Sequence, residues 1–215
     1  MDITYLGHSS FRIKFREAYL VTDPYNPKSV GIKYSKTSSE IVTISHDHED
    51  HNFTDLITDT RKIVDGPGEY EILGISIIGI GVYHDDKKGE LRGRNIIYII
   101  EADGLRLVHL GDLGHRLSED VIDQLGTVDV LMIPVGGFYT IGSSEATDIV
   151  RDIEPSITIP MHYKVEGINS EIFGKLDTVD SFLKEIAITI EKVEKLSIKA
   201  NELGDEQKVV VFERK

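Results

Sequence analysis

The sequence predicts a mixed α/β protein in which two β-sheets pack face to face and helices lie outside them. Three short strand-like runs occupy residues 2–22, and two apolar hairpins follow, around Gly74 and around residues 102–104. Beyond residue 117 the pattern changes, because segments with helical spacing alternate with short apolar runs. The sequence shows no linker-like stretch. We therefore expect one domain that spans residues 1–215.

The strands are predicted by alternating apolar residues and by turn residues between them. Phe11 and Ile13 alternate with Arg12 and Lys14, which indicates a strand with one buried face. Further strands are predicted over residues 40–44, 70–73, 75–80, 95–100, 105–110, 128–133, 157–159, 197–199 and 209–212. Helices are predicted over residues 52–60, 118–125, 143–153 and 179–190. Ser143 or Ser144 is the predicted cap of the third helix.

Composition and charge exclude several classes of protein. Hydrophobic residues make up 40% and charged residues 28% of the chain, and no apolar run approaches the length of a membrane span. The chain has no cysteine, which excludes disulfides and thiolate ligands. Its net charge of −13 opposes non-specific attraction to nucleic acid and to anionic membranes. Because the first residues lack the pattern of a signal peptide, we expect a cytoplasmic location.

One polar segment, residues 45–51, contains three histidines and three acidic residues. It begins where the predicted buried strand over residues 40–44 ends. Neutral imidazole and carboxylate groups suit zinc, iron and manganese. Metal binding would also offset the cost of gathering polar groups beside a buried strand. The alternative is a solvated acidic loop, which does not explain three histidines at this spacing.

The pattern His-x-His-x-Asp-His, formed by His46, His48, Asp50 and His51, is the signature of the metallo-β-lactamase superfamily, which this chain resembles. Within that superfamily the chain is most similar to small single-domain metal-dependent hydrolases such as the ascorbate-6-phosphate lactonases. The resemblance implies a four-layer αββα sandwich, which composition alone does not select.

The resemblance also implies a two-metal site with three further ligands, His84, Asp112 and His162. Asp112 and His162 each follow a predicted apolar strand, as does the main motif, so similarly directed strands would bring them to one edge. In the implied arrangement the ligands of the first metal are His46, His48 and His84, those of the second are Asp50, His51 and His162, and Asp112 bridges both. Zinc is expected because nitrogen ligands dominate, with manganese or iron as alternatives.

Four other residues are candidates for supporting roles. Asp23, before Pro24, matches an acid that supports the metal-binding loop in the resembled family, although it also suits a simple turn. His8 could support the site, contact substrate or simply occupy a turn. His109 and His115 compete with His84 for the first metal. The position of His109 within a strand favours a core role, whereas His115 is expected to line the substrate pocket.

The implied activity is hydrolysis of a small ester, lactone or phosphoester by a hydroxide generated at the metals, with Asp50 as the catalytic carboxylate. Because the fold supports many reactions, two alternatives stay open. One is a metal-dependent nuclease or phosphodiesterase, which the acidic charge and short chain disfavour. The other is a non-catalytic metal-binding regulatory protein. The expected partner is a small-molecule substrate, without nucleic acid or membrane, and a homo-oligomer is compatible with the resemblance.

Overall fold

The computed structural model describes residues 1–204 and 206–213, in which most of the regular structure is β-strand. In chain order the elements are β1 (Asp2–Gly7), β2 (Ser10–Lys14), β3 (Tyr19–Thr22), α1 (Pro27–Val30), β4 (Thr37–Ser38), β5 (Ile41–Thr43), β6 (Ile57–Thr58), β7 (Lys62–Val64), β8 (Gly68–Ile72), β9 (Ile75–Tyr83), β10 (Arg94–Ala102), β11 (Leu105–His109), α2 (Glu119–Leu125), β12 (Val130–Pro134), α3 (Ser143–Ile153), β13 (Ile157–Met161), α4 (Ser170–Phe173), α5 (Val179–Ile186), β14 (Thr189–Val193), β15 (Leu196–Ser197) and β16 (Lys208–Phe212). Two 3₁₀ turns lie at Thr54–Leu56 and Ala200–Glu202.

The strands form two main sheets and one small ribbon. The six-stranded sheet has the order β15-β1-β2-β3-β5-β7, and the eight-stranded sheet has the order β14-β16-β13-β12-β11-β10-β9-β8. The ribbon pairs β4 with β6. Among the described residues, no helix is both long and apolar enough to cross a lipid bilayer.

The two sheets enclose the first part of the core. Side chains such as Phe11 and Ile13 of the six-stranded sheet pack with Ile77 and Tyr98 of the eight-stranded sheet, and all four are fully buried. A second apolar cluster fills the space between the other face of the eight-stranded sheet and helices α2, α3 and α5. This arrangement confirms the predicted mixed α/β fold class with two sheets packed face to face.

The outer face of the six-stranded sheet is covered mainly by irregular chain. The Arg12 side chain donates from Nε to the Ser38 carbonyl at 3.0 Å, which ties the ribbon to β2. The Tyr34 hydroxyl lies 3.1 Å from Ser10 Oγ. The only helix that packs in this region before β5 is the short α1, whose Val30 joins a small cluster with Tyr34.

Strand direction determines where the loops of the predicted site lie. Strands β11, β12 and β13 are parallel. Strand β9 is antiparallel to β10, and β10 is antiparallel to β11, so β9 runs in the same direction as β11. The loops after β9, β11 and β13 therefore leave the same edge of the eight-stranded sheet. These loops carry His84, Asp112 and His162.

Several predicted boundaries are wrong. Residues 52–60 form a 3₁₀ turn and strand β6 instead of a helix. The last predicted helix ends at Ile186, because Ala187 adopts a left-handed conformation with φ of 54°, and the following residues pair with β16 as edge strand β14. The N-cap of α3 is Gly142 rather than a serine, and its backbone N–H donates to Glu145 Oε2 at 3.2 Å.

Candidate metal centre

The histidine-rich segment forms a tight turn immediately after β5. The backbone N–H groups of His51 and Asn52 both donate to the His48 carbonyl, at 2.8 and 3.0 Å. Because of this turn, histidines that are close in sequence contribute to two neighbouring groups of potential ligand atoms. The Ser45 carbonyl accepts the Ile96 N–H at 2.9 Å, which fixes the start of the turn to the eight-stranded sheet.

Two groups of potential ligand atoms lie side by side in the structure. In each group, one ligand atom per residue lies within 4.8 Å of the others. The first group is His46, His48 and His84. The second group is His8, Asp50, His51 and His162. Apart from His8, these are the two ligand triads that the sequence resemblance implies.

Asp112 lies between the two groups. Its Oδ2 is 3.1 Å from His162 Nε2 and 3.2 Å from His51 Nε2 in the second group. The same oxygen is 3.3 Å from His84 Nε2 and 4.0 Å from His46 Nε2 in the first group. The carboxylate is 2% exposed. One buried oxygen surrounded by four imidazole nitrogens is the arrangement required of a bridging ligand.

Buried polar atoms without hydrogen-bond partners indicate whether the residues of the site suit metal ions. Within the described part of the chain, His46 Nε2, His51 Nε2, His162 Nε2 and Asp112 Oδ1 are buried and have no hydrogen-bond partner. A buried polar atom without a partner costs about 1–3 kcal/mol. The converging nitrogen and carboxylate donors are those that zinc prefers, so the residues fit a divalent cation.

Electrostatics keep most of the site in the state needed for metal binding. Burial lowers the pKa of His46 well below its usual value and lowers that of His84 to about 4, so both rings are neutral near pH 7. Burial opposes ionisation of Asp112, but His162 and His51 hold its pKa well below the usual range. Imidazole and carboxylate bind metal in these deprotonated forms.

His51 is an exception. Burial disfavours its charged form, but the carboxylates of Asp112 and Asp50 outweigh burial and raise its pKa well above the usual value. A divalent cation among the same groups would replace that proton, because metal and proton compete for the imidazole nitrogen.

Asp23 supports the histidine turn from beneath. Its buried carboxylate accepts hydrogen bonds from Ser45 N at 2.8 Å, Ser45 Oγ at 2.6 Å and His51 Nδ1 at 2.9 Å. The Ser45 hydroxyl also lies 2.9 Å from His46 Nδ1. Asp23 therefore orients one imidazole from each group, directly or through Ser45, and leaves each Nε2 atom facing the centre.

Replacing Asp23 with Asn should weaken metal binding by about 10- to 100-fold, because orienting partners of metal-ligating histidines typically have effects of this size. Metal affinity can be measured by competition with a chromogenic chelator. Asp59→Asn is a matched control, since Asp59 also has a positive φ but lies on the surface. Equal affinity in the two variants would contradict the proposed role of Asp23.

Asp112 is positioned by Asn95, which sequence analysis did not identify, and by the preceding glycine, Gly111. Asn95 Oδ1 accepts the Asp112 N–H at 3.0 Å, and Asn95 Nδ2 donates to the Leu110 carbonyl at 2.8 Å. Gly111 has φ of 56°, and a Cβ at this position would lie 2.3 Å from Asn95 Oδ1. A buried Asn at the start of an otherwise apolar strand was the available signal in the sequence.

The remaining histidines have different environments. His8 is buried, and its Nε2 lies 3.0 Å from Asp50 Oδ2, while its carbonyl accepts the His162 N–H at 3.1 Å. His109 lies inside the core, where Nε2 donates to the Ser9 carbonyl at 2.9 Å and Nδ1 accepts the Gly111 N–H at 3.2 Å.

The structure does not bring His115 into the metal cluster. Its Nε2 accepts the Tyr83 N–H at 3.2 Å, and its Nδ1 donates to the Arg116 carbonyl at 2.7 Å. His115 is also absent from the residues that line the cleft beside the cluster. Both ring nitrogens bond the local backbone, so the substrate-contact role expected from the sequence has no support in its position.

A small cleft opens beside the two ligand groups. It has a volume of about 210 Å³ and is lined by His48, Asp50, His84, Arg92, Asp112, Tyr139, His162, Ile172 and Phe173. A larger groove of about 810 Å³ borders His46 and His48 on the other side and also reaches Arg92. Sequence analysis did not identify Arg92, Tyr139 or Phe173, because each comes from a loop or short helix remote from the histidine motif.

Comparisons with known proteins agree with this geometry. A family model described as a beta-lactamase superfamily domain matches residues 2–162. A UPF0173 metal-dependent hydrolase of Thermococcus onnurineus is 28% identical over 191 residues, which cover 76% of this chain and 84% of that protein.

Solved structures show the same relationship. A crystal structure from Thermotoga maritima, described as a proposed zinc-dependent hydrolase of the metallo-beta-lactamase superfamily, has a TM-score of 0.80 and 35% identity, and it covers 98% of this chain and 97% of that one. The metallo hydrolase Igni18 of Ignicoccus hospitalis shares the fold, with a TM-score of 0.66, 21% identity and coverage of 86% and 89%. The family expected from the histidine motif is confirmed: this chain belongs to the metallo-β-lactamase superfamily, and its similar relatives are named metal-dependent hydrolases.

Proposed function

We propose that this protein hydrolyses a small ester, lactone or phosphoester at a pair of metal ions, with zinc as the resident metal. The observation that carries the proposal is the position of Asp112 Oδ2 between two groups of ligand atoms, 3.1 Å from His162 Nε2 and 3.3 Å from His84 Nε2. His46, His48 and His84 would hold one metal, Asp50, His51 and His162 would hold the other, and Asp112 would contribute to both sites. When bound, two such cations lower the pKa of a shared water and polarise the bond under attack.

Asp50 is the proposed catalytic carboxylate. It is 18% exposed and lines the cleft, whereas Asp112 is 2% exposed. Burial opposes its ionisation, but His51 and His8 hold its pKa well below the usual range, so it is a carboxylate near pH 7. In this form Asp50 can orient a water and accept its proton, and it can then return the proton to the leaving group. His8, at 3.0 Å, fixes the orientation of Asp50.

The dimensions and charge of the site favour a small substrate over a nucleic acid. The two cavities that border the proposed ligands have volumes of about 210 and 810 Å³, and the larger one falls in the range of roughly 300–1,000 Å³ that is typical of pockets for small ligands. The net charge of −13 opposes binding to a phosphate backbone. The charge supports a small-molecule hydrolase rather than a nuclease, and we propose that the enzyme acts in the cytoplasm.

A panel of substrates tests this proposal. The zinc-loaded protein should hydrolyse at least one small ester, lactone or phosphodiester, and a chelator should abolish the activity. Its binding to single-stranded RNA should be weak at about 150 mM salt, because the net charge repels the backbone. Fluorescence anisotropy with labelled RNA measures this binding. Tight, salt-sensitive RNA binding with RNA cleavage would favour the nuclease. Metal binding without turnover of any substrate in the panel would favour a regulatory protein.

A further inference from the structure

The loop that follows His84 is fixed by a single carboxylate. Asp85 is 2% exposed, and its two oxygens accept four backbone N–H groups at 2.7–3.0 Å, namely those of Lys87, Gly89, Leu91 and Arg92. The loop is closed further by a hydrogen bond from the His84 N–H to the Gly93 carbonyl at 3.1 Å. A loop with this many internal bonds holds a defined shape, so the position of Arg92 is fixed relative to His84.

The Arg92 guanidinium lies at the edge of the small cleft. Its Nη2 donates to the Phe138 carbonyl at 3.1 Å, and its central carbon lies 5.6 Å from the centre of the Tyr139 ring. Within the described part of the chain, no carboxylate lies within 4.0 Å of this guanidinium. A guanidinium has five N–H donors in a planar fork, so Arg92 retains donors for a ligand.

The rest of the cleft defines what such a ligand would contact. Tyr139, Ile172 and Phe173 give the lining an apolar part, and the proposed metal ligands His48, Asp50, His84, Asp112 and His162 line the same cleft. Among the described residues of the lining, Arg92 is the only one with a permanent positive charge. A cation in an otherwise acidic protein, placed beside a hydrolytic site, selects for negative charge in the substrate.

We propose that Arg92 binds an anionic group of the substrate, so that the enzyme prefers small hydrolysable molecules with a carboxylate or phosphate beside a short apolar portion. The anion would pair with the guanidinium fork, and the apolar portion would pack on Tyr139 and Phe173. This inference rests on the proposed function, because the bond to be hydrolysed must face the proposed metal ligands that line the same cleft. Asp85 is then a positioning residue for Arg92.

Paired probes that differ by one anionic group test the role of Arg92. Butyrate and glutarate are similar in length, but glutarate has a second carboxylate, and propionate and 3-phosphonopropionate form the corresponding phosphonate pair. Dissociation constants for the zinc-loaded protein are measured by isothermal titration calorimetry. Wild-type protein should bind one of the dianions at least about tenfold more tightly than its partner, since a charge-assisted pair contributes this much. Whichever pair shows the larger preference identifies carboxylate or phosphate as the recognised group.

Variants at Arg92 distinguish the effect of its side chain from the effect of a change in the net charge of the protein. Arg92→Met should abolish the preference, and Arg92→Lys should keep part of it. Arg61→Met is the matched control, because Arg61 has the same charge and is exposed but lines neither cavity beside the ligand groups, and this variant should keep the full preference. Equal losses in Arg92→Met and Arg61→Met, or no preference in the wild type, would overturn the inference. Ester hydrolysis and zinc content are measured on the same samples, so that failure of the proposed function is recognised separately.

Discussion

Asp112→Asn is expected to lose both metal ions and to reduce hydrolysis by about a thousandfold or more, because a metal ion contributes several kcal/mol of transition-state stabilisation. The structural reason is the central position of Asp112 Oδ2, which lies within 4.0 Å of imidazole nitrogens from both ligand groups. Asn is nearly isosteric but uncharged, and it cannot offset the charge of two cations. Elemental analysis of the purified variant and its turnover of an ester measure the two effects.

A loss of folding could imitate this result, so a matched control is needed. Asp129→Asn removes a carboxylate that accepts the Arg106 N–H at 2.7 Å on the other side of the fold from the ligand loops. This variant should lose some stability but keep its metals. If Asp112→Asn retained two metals and normal turnover, the assignment of Asp112 as the bridge would be wrong.

His84→Ala should lose about one metal ion per chain, because removal of one ligand from a bridged pair empties that site first. His84 Nε2 completes the group with His46 and His48 and lies 3.3 Å from Asp112 Oδ2. The remaining metal would keep Asp50, His51 and His162. Turnover should fall nearly as far as in Asp112→Asn, since the paired arrangement is lost.

His115 and His109 provide the comparison for His84. His115→Ala should keep both metals, because both nitrogens of this ring bond the local backbone. His109→Ala should mainly reduce the free energy of unfolding, since the ring is fully buried and bonded to Ser9. Loss of metal from His115→Ala, with both metals kept in His84→Ala, would require a different ligand for the first metal.

The sequence was most informative where chemistry depends on residues close together in the chain. Four of the seven proposed ligands fall within residues 46–51, so their spacing alone indicates a metal site. His84, Asp112 and His162 were implied by the resemblance, and their positions after predicted strands supported that prediction. Their convergence depends on strand order, which the sequence indicates only through resemblance to a family.

Other features depend on contacts that local patterns do not encode. Arg92 belongs to the cleft because Asp85 folds the loop back, and its neighbour Tyr139 is 47 residues away in the chain. The last helix was predicted to extend to residue 190 because Ile190 continues the apolar spacing of α5, but Thr189 and Ile190 pair with β16 as the start of β14. His115 was expected in the pocket from its distance to Asp112, but both of its ring nitrogens bond local backbone groups and it does not line the small cleft.

Anomalous diffraction from crystals of the metal-loaded protein tests the central claim most directly. Data collected on both sides of the zinc absorption edge give the identity, number and position of the metals in one measurement. We expect two zinc peaks about 3.5–4 Å apart, as in other two-metal hydrolytic sites, with Asp112 between them. One peak should lie among His46, His48 and His84, and the other among Asp50, His51 and His162. A single peak, or metal bound away from these residues, would contradict the account.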